Sequence, residues 1–117
     1  MDKKYYNMKI IRNNIIPFKG FKAINLFGIL FVRKNARIDD ITLNHEAIHT
    51  AQMKELLYIF FYVLYIIDWL IGLMAYVSFS KAYREVCFEK EAYANEKDLS
   101  YLQRRKIFAF IKYLYSK

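Results

Sequence analysis

The distribution of hydrophobic and polar positions divides the chain into a polar first part, a short β-rich segment and several helices. Residues 1–22 are basic and irregular and contain the only proline, which predicts an arm or a short edge strand that leads into a turn. Residues 23–33 are rich in β-branched and aromatic side chains and are interrupted by Gly28. This pattern predicts a strand, or a hairpin bent at the glycine.

The rest of the chain has the pattern of helices. Residues 41–67 contain no helix breaker and follow a polar turn that offers N-capping side chains, so they predict one long helix. A polar helix is predicted over 81–97, and a last helix over 100–115, where Ser100 and Gln103 form a capping box. Together these elements predict a single domain of the α+β class that is mainly α.

The apolar tract 56–79 has Asp68 near its middle. Neither half of the tract reaches the roughly 20 residues that span a bilayer, and a carboxylate at the centre of a spanning helix costs a few kcal/mol. Three interpretations follow: a helical hairpin buried in the domain, a dimer interface, or a segment that dips into a membrane.

Composition strengthens the case for an apolar surface. The chain has 117 residues and is 56% hydrophobic, which is more apolar surface than one small core holds. Its net charge of +8 favours an anionic partner. Acidic lipid is favoured over nucleic acid, because no RNA-binding signature accompanies the charge, and because the last predicted helix combines an apolar stripe with basic side chains.

The single cysteine, Cys87, rules out an internal disulfide and fits a reducing compartment. The first residues carry charge but no apolar run with a cleavage site, so no secretory signal is predicted. The expected location is the cytoplasm, in association with the inner face of the membrane.

The only two histidines of the chain lie in one HExxH pattern, formed by His45, Glu46 and His49. For residues placed at random, this coincidence has a probability on the order of one in a thousand. Residues four apart lie one turn apart on the same face of a helix, so two imidazoles can converge on one ion. Glu46 lies beside that face, where it can accept a proton from water.

A catalytic zinc takes three protein ligands and leaves a fourth position open. With no third histidine, a carboxylate on the helix over 81–97 is expected. Glu89, Tyr93 and Glu96 fall on one face of that helix, Glu85 lies one turn earlier, and Glu91 points away.

A helix that carries HExxH, followed on a later helix by Glu-x-x-Ala, resembles the gluzincin branch of the zincin metallopeptidases. The segment FEKEAYANE, residues 88–96, also resembles small bacterial zincin-like proteins with an FExEAYxNE segment. The resemblance implies a minimal zincin core over residues 24–97, Zn²⁺ as the cofactor and Glu89 as the third ligand. It also implies that Ile24, Leu26, Gly28 and Leu30 form an edge strand that pairs with an extended peptide substrate.

The chain departs from that family at Tyr93, where gluzincins commonly have an aspartate that orients a zinc-binding histidine. Glu96, Glu85 or a backbone carbonyl is expected to take that role, and Glu55 is a further residue that can orient a ligand. Tyr93 is expected to be either a buried structural tyrosine or the donor of a hydrogen bond to an oxyanion. The sequence therefore predicts a zinc-dependent peptidase with Glu46 as the general base. The competing interpretation is a non-catalytic interaction or membrane-associated protein in which a structural zinc joins two helices.

Overall fold

The computed structural model describes residues 9–15 and 22–116, so most of the arm predicted over 1–22 lies outside the described residues. The protein is α+β and mainly helical, which confirms the predicted class. Its strands are β1 (Lys9–Asn13), β2 (Ala23–Leu26) and β3 (Ile29–Arg33). Its helices are α1 (Asp40–Glu55), α2 (Ile59–Tyr76), α3 (Phe79–Arg84), α4 (Cys87–Asn95) and α5 (Tyr101–Arg104). A 3₁₀ segment (Ala109–Ser116) follows α5.

The strands form one small sheet in the order β1-β3-β2, with β1 parallel and β2 antiparallel to β3. The predicted hairpin is present over 23–33, and Phe27 and Gly28 make its two-residue turn. Both turn residues have positive φ, 54° and 87°, as hairpin turns of this length require. The described part of β1 fits the strand that was one alternative for the first segment.

The long helix predicted over 41–67 is wrong, because the chain breaks between α1 and α2. Asp39 caps α1 by accepting the Thr42 N–H at 2.8 Å. After Glu55 the chain turns through Leu57 and Tyr58, whose φ values are 54° and 63°. Each left-handed residue costs about 1–2 kcal/mol. The break lets α2 fold back, so that burial of its apolar side chains against the core offsets this cost.

The helix predicted over 81–97 is also interrupted, and it forms α3 and α4. Val86 is buried and extended between them. Asp68, which lies in the middle of α2, accepts the N–H of Cys87 at 2.7 Å and so caps α4 from another helix. The acidic residue that interrupts the apolar tract thus fixes the start of α4.

The last helix predicted over 100–115 is wrong in the same way. Ser100 makes no side-chain cap hydrogen bond, and α5 has only four residues. Arg105 is extended at the end of α5, and it turns its guanidinium into the domain, where it binds two glutamates. Phe110 from the 3₁₀ segment then packs on Phe88, with ring centroids 4.8 Å apart.

The main core lies among α1, α2, α4 and the 3₁₀ segment. Phe88 is fully buried at its centre, and Phe61 of α2 lies 4.6 Å from it, measured between ring centroids. Burial of one such side chain contributes roughly 1.5–3 kcal/mol. This cluster holds α2 and α4 side by side and so sets the position of the side chains described next.

Helix α2 is not buried in the domain, so the buried-hairpin interpretation of tract 56–79 is wrong. Only Phe61, Asp68 and Gly72 are buried among its 18 residues. By length and composition the helix is apolar enough to cross a membrane, with a mean hydropathy of 1.9.

Candidate metal centre

Helix α1 buries a polar face against α4. His45 and His49 lie one turn apart on this face, and both are buried. Their Nε2 atoms are 3.1 Å apart, so the two rings converge as the i, i+4 spacing predicts. The same face carries Asn44 and Gln52, which contribute no ligand and instead fix α1 to α4.

Glu89 completes a group of three donors. Its Oε1 lies 3.2 Å from His45 Nε2 and 3.1 Å from His49 Nε2. Its Oε2 accepts a hydrogen bond of 2.8 Å from the Tyr65 hydroxyl of α2. The Tyr65 hydroxyl therefore fixes Oε2 of this carboxylate, and Oε1 faces the two imidazoles.

The neighbours of His45 set its tautomer. Glu96 Oε1 lies 2.8 Å from His45 Nδ1, and a carboxylate there requires the ring proton on Nδ1. Glu96 is itself positioned by Asn44, whose amide donates to the carbonyls at the C-terminal end of α4, including that of Glu96 at 2.7 Å. The lone pair of His45 Nε2 therefore points at Glu89.

The tautomer of His49 follows from the orientation of Gln52. Gln52 Nε2 donates to the Phe88 carbonyl and to Glu91 Oε1, both at 3.0 Å. Since both partners are acceptors, Gln52 Oε1 must face His49 Nδ1, which lies 2.8 Å away and donates to it. His49 Nε2 then also carries a lone pair.

Three lone pairs, from two imidazoles and one carboxylate, therefore converge on one point. This holds for neutral His49, and the arrangement then needs a cation between the three atoms; in the metal-free protein a proton on His49 Nε2 supplies that positive charge. Ligand atoms at about 2.0–2.1 Å from a tetrahedral zinc lie about 3.3 Å apart, close to the separations found here. His45, His49 and Glu89 thus form a buried group that fits a metal ion.

The pKa shifts of Glu89 and His49 in the metal-free protein also indicate that this site favours a positive charge. Burial alone would raise the pKa of Glu89, but the two histidines outweigh burial and hold that pKa well below its usual range. Burial alone would lower the pKa of His49, but the charge of Glu89 and its hydrogen bond raise that pKa to about 9. At neutral pH the metal-free site therefore holds a proton on His49, and a bound metal ion replaces that proton.

Glu46 lies beside the donors but is not one of them. Together with His45, His49 and Glu89 it lines a cavity of about 280 Å³. Burial raises the pKa of its carboxyl, and the histidines oppose this shift. The cavity gives the donor group an open side, and Glu46 faces that side.

Tyr93 packs beside one of the two histidines and does not line the cavity of the donor group. Its ring packs edge-on against His45, with centroids 4.6 Å apart, and its hydroxyl lies 3.3 Å from that of Tyr83. Tyr83 lines the cavity of the donor group, whereas Tyr93 lines a neighbouring cavity beside Glu96. Tyr93 therefore has the packing of a structural tyrosine beside His45, which is one of the two expectations for it.

The structure corrects part of the predicted substrate strand. Ile24 and Leu26 lie in β2, at the edge of the described sheet, but Gly28 is in the turn and Leu30 is buried in the central strand β3. These last two cannot pair with a substrate, because the hairpin places β3 between β1 and β2.

Strand β2 itself lies next to the donor group. Its residues 23–26 line the cavity, and the Asn25 amide donates to the Glu46 carbonyl at 3.0 Å. The Arg33 N–H donates to the Lys22 carbonyl, so the backbone groups of Lys22 point toward β3. Because this direction alternates along an antiparallel strand, the backbone N–H and C=O groups of Ala23 and Asn25 point away from β3. Along the described chain this edge of β2 has no strand beside it.

Glu55 acts at a greater distance from the ligands than predicted. Its carboxylate binds the Arg105 guanidinium at 2.7 Å and 3.1 Å. Arg105 also binds Glu91 at 2.5 Å, and Glu91 contacts Gln52, which contacts His49. Glu91 does point away from the donors, but it is fully buried and holds the residue that orients His49.

The Gln52→Met variant is expected to bind the metal about 10–100-fold more weakly, because the shape is kept while the hydrogen bond that orients His49 is lost. Competition with a chromophoric chelator measures this affinity. Gln103→Met, on the exposed side of α5, is the matched control and should bind the metal as the parent protein does. Equal affinity for both variants would show that Gln52 does not orient the ligand.

Sequence reasoning misses Tyr65, Tyr83 and Arg105. Tyr65 and Tyr83 lie in stretches rich in tyrosine and show no local pattern that separates them from other aromatic residues. Arg105 is one of many basic residues on the last predicted helix. Only their contacts across the fold give them a role.

Comparisons with protein families, with curated proteins and with solved structures find nothing that matches this chain.

Proposed function

We propose that the protein is a zinc-dependent peptidase of the zincin type. One observation carries the proposal: the lone pairs of His45, His49 and Glu89 converge beside a cavity into which Glu46 also faces. Two imidazoles and a carboxylate with an open side are the donor set of hydrolytic zinc sites. When bound, zinc acts as a Lewis acid on the peptide carbonyl and acidifies water to a pKa of about 7.

The residues of the chain supply the remaining parts of the reaction. Glu46 accepts the proton of the attacking water and delivers it to the leaving amine. Burial raises the pKa of this carboxyl, which makes the carboxylate a stronger base. Tyr83, at the wall of the same cavity, is the hydroxyl that would donate to the developing oxyanion.

Strand β2 supports a polypeptide as the substrate. An extended peptide that pairs with the outer backbone groups of Ala23 and Asn25 would lie along the cavity. The Asn25 amide ties this strand to the Glu46 carbonyl, so the bound peptide and the general base would keep a fixed relation. Binding through backbone groups implies broad tolerance of side chains in the substrate.

A non-catalytic zinc site that only joins α1 and α4 is the alternative. Glu46 argues against it, since a half-buried carboxylate that is not one of the donors and lines a cavity brings no benefit to a closed structural site. The donor set would also accept manganese, iron or cobalt, so the identity of the metal needs measurement.

Incubation of the zinc-loaded protein with a diverse peptide mixture, followed by mass spectrometry of the products, tests the proposal. We expect new peptide termini that disappear after chelation and return when zinc is added. Elemental analysis should find about one zinc per chain. A protein that holds one zinc and leaves every peptide intact, under conditions in which it is folded, would support the structural site instead.

A further inference from the structure

The side of α2 that points away from the domain is entirely apolar. Its exposed fractions range from 41% at Leu64 to 83% at Met74. The helix has 18 residues and is therefore about 27 Å long. Soluble monomers rarely leave a continuous apolar surface of this size in water. The exposed side chains are Ile59, Phe60, Val63, Leu64, Ile66, Ile67, Leu70, Ile71, Met74 and Ala75.

The opposite side of α2 is bound into the domain along its length. Tyr65 donates to Glu89, and Asp68 accepts from the backbone at the start of α4. Gly72 lies so close to α3 that a Cβ there would approach Ala82 Cα to 3.3 Å. A helix that spans a bilayer meets lipid or other apolar helices on every side. Helix α2 instead packs on one side against the core of a charged domain, where the carboxylates of Asp68 and Glu89 are also bound, and this favours a position in the plane of a membrane surface.

The net charge of the protein indicates which kind of membrane surface α2 would contact. The carboxylates of Glu55 and Glu91 bind Arg105, and those of Glu89 and Glu96 face the two histidines. These acidic groups are engaged inside the fold, while the chain as a whole carries a net charge of +8. The protein surface is therefore strongly positive, which matches anionic lipid headgroups.

Basic side chains also lie at both ends of α2. Lys54 is exposed in the last turn of α1, before α2 begins, and Lys81 is exposed after α2 ends. The Lys81 ammonium lies 4.6 Å from the centre of the Tyr76 ring, at the C-terminal end of α2. Lysine next to tyrosine is the arrangement found at the boundary between headgroups and acyl chains. A second copy of the protein would instead bring like charges together at this face.

We propose that the protein binds anionic membranes peripherally, with α2 lying at the boundary of headgroups and acyl chains and its apolar side immersed. The proposal does not depend on peptide hydrolysis, because it rests on α2 and on the surface charge. The partner proposed for the apolar side of α2 is the lipid surface alone.

Flotation with vesicles tests the proposal. We expect the protein to float with vesicles that contain phosphatidylglycerol and to bind pure phosphatidylcholine more weakly. The triple variant Ile67→Asn, Ile71→Asn, Met74→Gln removes apolar contacts from one stripe of α2 and should reduce binding about tenfold or more. Ile10→Asn alters a residue on β1 that is similarly exposed, at 41%, and should bind as the parent protein does.

Circular dichroism of the triple variant establishes that it is folded, which is expected because all three positions are exposed. Unchanged vesicle binding by the folded variant would overturn the proposal, since adsorption would then be electrostatic only. A dimer in solution that the triple variant converts to monomer, together with no binding to vesicles, would assign the face to a second copy.

The depth of α2 can be measured with the only tryptophan, Trp69, which lies near the middle of the helix. Vesicles with lipids brominated near the ester end of the acyl chain should quench its fluorescence more than vesicles brominated near the methyl end. Stronger quenching by the deep bromines would place the middle of α2 at the bilayer centre and would contradict an interfacial position.

Discussion

Glu46→Gln is expected to bind zinc with the affinity of the parent protein and to hydrolyse peptides about a hundred to ten thousand times more slowly. The substitution keeps the shape of the side chain but removes the group that accepts a proton. Metal binding should persist, because the three donors are His45, His49 and Glu89 and their supporting hydrogen bonds come from other residues. Initial rates on one cleaved peptide, measured at equal zinc content, give the ratio.

Asp40→Asn is the matched control for this substitution. It makes the same change from carboxylate to amide on the same helix, but at an exposed position in the first turn. Its rate should equal that of the parent protein. If Glu46→Gln and Asp40→Asn are equally active, Glu46 is not the general base, and the cavity beside the metal donors has another use.

His49→Ala is expected to lose the metal. An apparent binding free energy of about 10–16 kcal/mol, shared among three protein ligands, assigns about 3–5 kcal/mol to each, which corresponds to roughly 10²–10⁴-fold in affinity. The variant also leaves the buried Glu89 carboxylate with fewer partners, a change that typically costs about 3–5 kcal/mol of unfolding free energy. Zinc titration and denaturant unfolding, each on the metal-free protein, measure the two effects.

The pH dependence of the unfolding free energy provides a check on the expected loss of stability in His49→Ala. The pKa of His49 is raised in the folded state to about 9, above the usual histidine value of 6.5. Its stabilising contribution in the metal-free protein is therefore fully present below pH 6.5 and disappears as the pH rises through about 9. The difference in unfolding free energy between parent and variant should shrink over this interval. Lys54→Ala, at an exposed position in α1, should show no such difference.

The local part of the fold and of the donor group could be predicted from the sequence. The relation of His45 to His49 depends only on helical geometry, and the hairpin depends on a glycine at a position with positive φ. Glu89 lies 40 residues beyond His49, so its assignment depends on resemblance to a Glu-x-x-Ala pattern and not on spacing alone. Glu96 follows from its position two turns after Glu89 on the same face of α4.

The parts that sequence reasoning missed are set by contacts between distant elements. No glycine or proline marks the breaks at Leu57 and Tyr58 or at Val86, because packing of α2 and capping by Asp68 determine where those helices end. The ion pair of Arg105 with Glu91 likewise joins segments whose local patterns contain no information about each other. Helix propensity alone continues a helix through all of these positions.

The order of the site residues along the chain affects when the metal can be loaded. The histidine pair is synthesised first, Glu89 follows 40 residues after His49, and Arg105 comes a further 14 residues after Glu91. A nascent chain that has reached only His49 offers two donors on a helix whose buried face is not yet covered. If the site takes up a metal ion, the full set of three donors would therefore exist only after Glu89 has been synthesised and α4 has packed on α1.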